Sequence, residues 1–231
     1  MKKIKLLLVA AMVAGLVTGC SKFKPDQTGI SVKKNGSIVS VIKESLDRSY
    51  YDPEELERMI DETVDSYNAS AGAKYVKVDQ YEVENGQATL QISYDSAADY
   101  QKMNQVEFYL GDLASAYGTE YGLEGSFFKV EKGERTDEAL GKEAVLATKN
   151  YNVIVLEEEL LVEVPGDIVF VSSNVEMLGK RQVITGQEAP QTTAEVQVND
   201  SGIPVINPEV MEGSPMEEQE DGTHLFYIIY K

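Results

Sequence analysis

The chain has 231 residues, with 21 basic against 39 acidic side chains, one histidine, one cysteine and no tryptophan. A hydrophobic fraction of 42% with 26% charged residues puts it in the globular class, with enough length for a real core in one domain or two small ones. The net charge of −18 opposes the phosphate neutralisation that nucleic-acid binding needs, so no nucleic acid is expected unless folding gathers a local basic patch, and none is visible along the sequence.

Lys2, Lys3 and Lys5 precede an uninterrupted apolar run at 6–17, too short to span a bilayer permanently, and Val17-Thr18-Gly19-Cys20 closes it. This is the pattern of a secretory signal peptide over residues 1–19. The basic start, the short apolar stretch and the small residues before a cysteine resemble the lipobox of bacterial lipoproteins. That resemblance implies cleavage before Cys20 and a diacylglyceryl group on its thiol. Each buried methylene contributes about 0.8 kcal/mol and two chains anchor firmly, so the expected membrane contact runs through lipid on Cys20. With the only cysteine acylated, a disulfide, a thiol nucleophile, a Cys-x-x-Cys redox pair and a thiolate zinc site are excluded together. Cleavage also removes three lysines, which makes the mature chain more acidic still.

Residues 20–29, with Lys22, Lys24 and Pro25, read as a tether, and 30–125 as an α+β hairpin-helix region. Asn35-Gly36 marks a two-residue hairpin tip that would set Val32 opposite Val39 and Ile30 opposite Val41. Asp52-Pro53-Glu54-Glu55 then starts a helix, and Leu56, Met59, Ile60, Val64 and Tyr67 repeat at helical spacing up to about Asn68. Its acidic remainder is expected to face solvent. A second hairpin turns at Asn85-Gly86, pairing Val83 with Ala88 and Tyr81 with Leu90, and the change of phase after Val78 predicts a bulge near Asp79. Ser96 and Asp99 resemble a capping box, and Tyr100, Met103, Val106, Leu110, Leu113 and Tyr117 predict one helix after it. The expected fold class is α+β: an antiparallel sheet carrying two amphipathic helices, followed by a mostly β C-terminal half.

Past Gly118, Gly122 and Gly125, strands are predicted at 127–130, 153–156, 160–164, 168–171 and 183–185 within a mostly β region, 126–186. A short helix is a weaker expectation within 137–148. Val164-Pro165-Gly166-Asp167 fits a type II turn with Gly166 at the position that needs positive φ. Residues 187–223 hold no Lys or Arg and several prolines among scattered acids, the composition of an acidic Pro-containing segment that buries little. Residues 224–231 are too apolar for a free tail and read as a final strand.

Residue supply limits the chemistry. His224 is the only histidine, so a multi-histidine metal site is impossible, and no Gly-x-Ser-x-Gly elbow accompanies it. No phosphate-binding glycine loop is present, and Asn199-Asp200-Ser201-Gly202 reads as a turn before it reads as a cation loop. No catalytic, cofactor-binding or metal-binding residue is therefore assigned, and no cofactor is expected. Paired carboxylates need neither His nor Cys, so a glycan-acting enzyme stays open. Tyr50-Tyr51 and Tyr117 with Tyr121 are the tyrosine clusters that would suit a sugar platform, or equally core packing at helix ends.

Two stretches resemble uncharacterised lipobox-containing cell-surface lipoproteins of anaerobic Gram-positive bacteria. One is Ile30-Ser31-Val32-Lys33-Lys34-Asn35-Gly36-Ser37-Ile38 leading to Ser49-Tyr50-Tyr51 and the Asp52 helix. The other is Val162-Glu163-Val164-Pro165-Gly166-Asp167-Ile168 leading to Ser172-Ser173-Asn174-Val175. The resemblance implies cell context and no activity. The expectation is thus a lipid-anchored extracytoplasmic protein on the outer face of the bacterial cytoplasmic membrane, at a Gram-positive cell surface. It would be a non-enzymatic binding or interaction module for an envelope protein or polymer. The alternatives are a carboxylate-dependent glycan-acting enzyme and a solute-binding lipoprotein of a transporter.

Overall fold

In the computed structural model, residues 23–46, 48, 51–148, 150–186 and 225–231 are described. The expected signal peptide, Cys20, Tyr50, the acidic segment 187–223 with the turn expected at Asn199-Asp200-Ser201-Gly202, and His224 lie outside the described residues. The content is mixed α and β, mostly strands, with four helices and two sheets among the described residues. In chain order these are β1 (Gly29–Val32), β2 (Ile38–Ser45), α1 (Pro53–Ala71), β3 (Val76–Glu84), β4 (Gln87–Tyr94) and α2 (Ala97–Asn104). There follow β5 (Phe108–Asp112), α3 (Leu113–Tyr117), β6 (Phe127–Glu131), β7 (Glu134–Leu140), α4 (Lys142–Leu146) and β8 (Asn152–Leu156). The remaining strands are β9 (Leu161–Glu163), β10 (Ile168–Ser172), β11 (Val175–Met177), β12 (Gln182–Thr185) and β13 (Phe226–Tyr230).

One sheet has the order β11-β12-β9-β1-β2-β4-β3 and the other β5-β8-β13-β10-β6-β7. The regions 30–125 and 126–186 therefore share their strands: β5 joins the second sheet, while β9, β11 and β12 join the first. The first sheet is not purely antiparallel, because β1 runs parallel to β9, with Ile30 opposite Val162. Period-2 alternation explains the layers. Ile30, Val32, Ile38, Ile92, Tyr94 and Val162 of the first sheet share a core with Ile154, Leu156, Phe226, Ile228 and Tyr230 of the second. The intervening residues Val153, Val155, Tyr227 and Ile229 point the other way, into a second core closed by α3, α4 and the loop bearing Tyr121 and Leu123. Strands β8 and β13 are thus buried on both faces.

The helices follow their caps. Asp52 accepts from the Glu54 and Glu55 amides at 3.0 and 3.3 Å, and Pro53 opens α1 as predicted. The helix runs one turn past Asn68, because Gly72 takes the left-handed conformation at φ 79° and closes it. Of the predicted apolar stripe only Val64 is buried, and Met59 is 53% exposed. The helix is instead pinned at its end, where the Asn68 amide brackets the Val76 backbone at 2.8 and 3.0 Å and the Tyr67 hydroxyl donates to Asp99 at 2.9 Å.

The second hairpin has the predicted register, with Val83 opposite Ala88 and Tyr81 opposite Leu90, and its register shifts between Val78 and Gln80, which is the expected bulge. The first hairpin differs by one residue: Val32 faces Ile38 and Ile30 faces Ser40. Asn35 uses its side chain to accept from the Ser37 amide and hydroxyl at 3.2 and 2.8 Å, and Gly36 alone has positive φ, which makes a three-residue loop. The shift sends Val41 to the outer face, where it packs with Phe23 and Leu161.

The single helix predicted from Tyr100 to Tyr117 is three elements. Gln105 takes a left-handed conformation at φ 56° and ends α2. Val106, Phe108 and Leu110 also satisfy a period of two, and pairing of Phe108 with Leu156 and Leu110 with Ile154 selects the strand β5. Strand β7 and the short α4 occupy the stretch where a helix within 137–148 was expected.

Candidate functional site

At the Val32 end of β1, four connections converge: the hairpin loop 33–36, the turn 165–167, the loop 179–181 and the segment following β13. They surround an open cleft of about 670 Å³, floored by Leu110, Gly111, Asn152 and Tyr230. Its walls are fastened by backbone bonds. Lys33 N–H donates to Ser37 at 2.8 Å, Val164 N–H to Arg181 at 2.9 Å and Ile168 N–H to Lys180 at 2.9 Å. Asp167 and Lys231 exchange backbone bonds at 3.2 and 3.1 Å. The predicted type II turn is corrected here: Gly166 is not among the positive-φ residues. A Cβ on it would run into the carbonyl of Lys231, so glycine is required by close approach of the two chains.

Cations dominate this rim. Lys33, Lys34, Arg181 and Lys231 line the cleft, and Lys180 lines an adjoining depression with Arg181 and Asp167. The Arg181 Nε donates to Asp167 Oδ1 at 2.9 Å and holds that carboxyl below the usual carboxylate range, with Lys180 and Lys231 adding to the effect. Glu163 is engaged elsewhere: it accepts from Ser31 at 2.7 Å and from Gln182 at 2.9 Å, while Lys33 Nζ donates to the Ser31 hydroxyl at 2.8 Å. Lys34, Lys180 and Lys231 make no side-chain ion pair or hydrogen bond among the described residues. Burial pushes the Tyr230 phenol up, so it stays protonated near neutral pH. The arrangement can hold and orient an anion. It is also the local basic patch that linear inspection missed, because Lys33-Lys34 and Lys180-Arg181 are distant in sequence and meet only through the β1–β9 and β9–β12 pairings. The one available signal was that each basic doublet sits beside a turn.

A second cleft, of about 600 Å³, lies at the Leu156 end of β8 and is lined by Gln101, Lys102, Gln105, Val106, Glu107 and Glu157. Tyr121 donates to Glu107 at 2.7 Å, and Glu157 accepts from the Glu107 amide at 3.0 Å. Behind them Tyr100 donates to Glu158 at 2.7 Å, its ring edge-on to Tyr94 and Phe108 at 5.1 and 5.0 Å. Burial raises the Glu158 carboxyl against the opposing effect of that hydrogen bond. The predicted pairing of Tyr117 with Tyr121 does not form, since Tyr117 is 49% exposed on α3 and Tyr121 is buried against Tyr109; of the other predicted cluster, Tyr51 is exposed ahead of α1 and Tyr50 lies outside the described residues.

Among the described residues no group of three or more His, Cys, Asp or Glu is placed to share a metal ion, and no helix is long and apolar enough to cross a membrane. No protein-family model matches the chain, and no match is found among the curated proteins or the solved structures.

Proposed function

We propose that the protein is a lipid-anchored extracytoplasmic binding module, tethered by lipid on Cys20 to the outer face of the bacterial cytoplasmic membrane and capturing an envelope component in the basic cleft without chemical turnover. The observation that carries this reading is the inversion of charge. A chain of net charge −18 gathers Lys33, Lys34, Arg181 and Lys231 around one open cleft, with Lys180 in an adjoining depression. Phe23, three residues after Cys20, packs at the Gly29 end of β1, so a tether leaving there points the cleft away from the membrane. The same reading keeps the α+β layout, with α1 and α2 on the antiparallel strands β2, β4 and β3 and a mostly β C-terminal half.

The Cys20→Ala variant is expected to leave the membrane fraction entirely, since no other described segment offers a comparable anchor. Unchanged fractionation overturns the anchor. A photo-crosslinking residue at position 34 is expected to capture an envelope component in living cells.

The second cleft supports one other reading, a carboxylate-dependent glycan-acting enzyme using Glu107 and Glu157, which line the same depression. It requires the purified protein to cleave peptidoglycan or another glycan and Glu157→Gln to stop it. Intact glycans after prolonged incubation remove this reading.

A further inference from the structure

We infer that the basic cleft receives a linear polyanion bearing closely spaced phosphate groups. The inference rests on the binding reading above and gives it a ligand class. The first support is electrostatic. Lys34, Lys180 and Lys231 form no side-chain ion pair among the described residues, in a chain where acids outnumber bases 39 to 21, and the nearby Asp167 is already bonded to Arg181. Like charges held together repel, and a bound anion relieves that repulsion. Even with Glu163, which lines two adjoining depressions, and a carboxylate at Lys231 counted beside Asp167, the five cations outnumber the three anions.

The second support is shape. Three adjoining depressions meet at Arg181: the main cleft, one shared with Lys180, and one shared with Lys33 and Lys34. Cations therefore follow a path, which suits a chain of anionic groups better than a single ion. Arg181 commits its Nε to Asp167, which fixes the guanidinium plane and leaves the two terminal nitrogens for a bidentate oxyanion.

The third support is the donor inventory. Lysine and arginine only donate, the Asp167 carboxylate is engaged by Arg181, the Glu163 carboxylate accepts from Ser31 and Gln182, and Asn152 is the side-chain amide lining the main cleft. A ligand matched to this site brings acceptors and few donors. Phosphate chains do so, whereas a polyamide brings an N–H with every unit. Nucleic acid fits less well, because Tyr230 is buried and the rim offers no exposed aromatic face on which bases would stack. A phospholipid surface also fits less well, because Phe23, on the membrane side of the proposed tether, packs beside the Gly29 end of β1 while the rim lies at its Val32 end.

The test uses the full chain in detergent micelles and fluorescently labelled long-chain inorganic polyphosphate, read by anisotropy. Near physiological salt the remote acidic charge is screened beyond about 8 Å, so the local cations decide. Saturable binding is expected, with an affinity that falls with salt at a log–log slope of about −3, since each neutralised phosphate contributes about 0.7 on a single-stranded polyanion. Arg181→Gln and the double variant Lys34→Gln/Lys231→Gln are each expected to weaken binding about tenfold and to flatten the slope. Lys129→Gln, which changes an exposed side chain on β6 away from the cleft, is expected to leave both unchanged. Arg181 is 58% exposed and its replacement is not expected to disturb folding, which a melting curve checks. Poly-glutamate and vesicles containing phosphatidylglycerol serve as carboxylate and lipid arms, and equal or tighter binding of either overturns the phosphate assignment. Absence of polyphosphate binding, or equal losses in Lys129→Gln and Arg181→Gln, also overturns it. If polyphosphate fails while the crosslinker at position 34 still captures an envelope component in cells, the ligand class falls and the binding reading stands. If the crosslinker also captures nothing, both fall.

Discussion

Between pH 10 and pH 12 the protein is expected to lose on the order of 3 kcal/mol of stability, a large share of what holds a domain of ordinary stability. Tyrosines in an unfolded chain release their protons near pH 10. In the fold Tyr94 and Tyr100 keep theirs, because burial raises both and Tyr100 is raised further by the Glu158 carboxylate that accepts its proton at 2.7 Å. Above pH 10 the unfolded state therefore binds fewer protons than the folded state, so stability is complete below that pH and falls as pH rises. The proton kept by Tyr100 contributes about 1.4 kcal/mol per pH unit, which over two units gives the stated loss, and Tyr94 adds to it in the same direction. Tyr67 and Tyr121, both pushed up to about 12, act in the same direction with less weight because solvent screens the more open of these hydroxyls. Circular dichroism and tyrosinate absorbance recorded together on an alkaline titration check this. The part of the absorbance change that belongs to the buried phenols is expected to coincide with the loss of structure. Full tyrosinate absorbance ahead of any loss of structure would show these phenols to be accessible. Tyr100→Phe is expected to reduce the slope by about 1.4 kcal/mol per pH unit.

Ile228→Ala is expected to cost about 3 to 4 kcal/mol, toward the upper part of the range for large-to-small changes in a core. Ile228 is fully buried on β13, between Ile154 of β8 and Val171 of β10. Strands bonded on both sides hold the backbone fixed, so the site cannot collapse around the smaller side chain, and the lost contacts are not replaced. Guanidinium denaturation is expected to give a lower midpoint with an unchanged slope. Met59→Ala, on the solvent side of α1, is expected to stay within about 0.5 kcal/mol of the parent. A loss below about 1 kcal/mol at Ile228 would contradict a central position for β13.

What the sequence revealed was what short-range chemistry decides. The Asp52 cap, the Ser96–Asp99 contact and the Asn85-Gly86 hairpin with its bulge each involve residues a few positions apart. The errors have a different origin. The apolar residues from Val106 to Leu113 fit a helix and a strand equally, and the choice fell to β8, which lies some forty residues further along. The first hairpin slipped by one because Asn35 bonded Ser37 with its side chain in place of adopting positive φ. The basic cleft was illegible for a third reason. Its residues are unremarkable doublets until a parallel pairing of β1 with β9, joined by β12, brings Lys33 and Arg181 to one rim.

The position of β13 also bears on the order in which the molecule can be assembled. Its neighbours β8 and β10 precede it by more than fifty residues, and it fills the gap between them. Until residues 226–230 arrive, β5 with β8 and β10 with β6 and β7 are separate pieces with open inner edges. A chain delivered N-terminus first across a membrane, as the leader proposed at 1–19 would direct, thus cannot complete its second sheet while β13 is still in transit. That delay keeps it threadable for as long as threading lasts, and it makes closure of the sheet by a distant strand the slow, long-range step of folding.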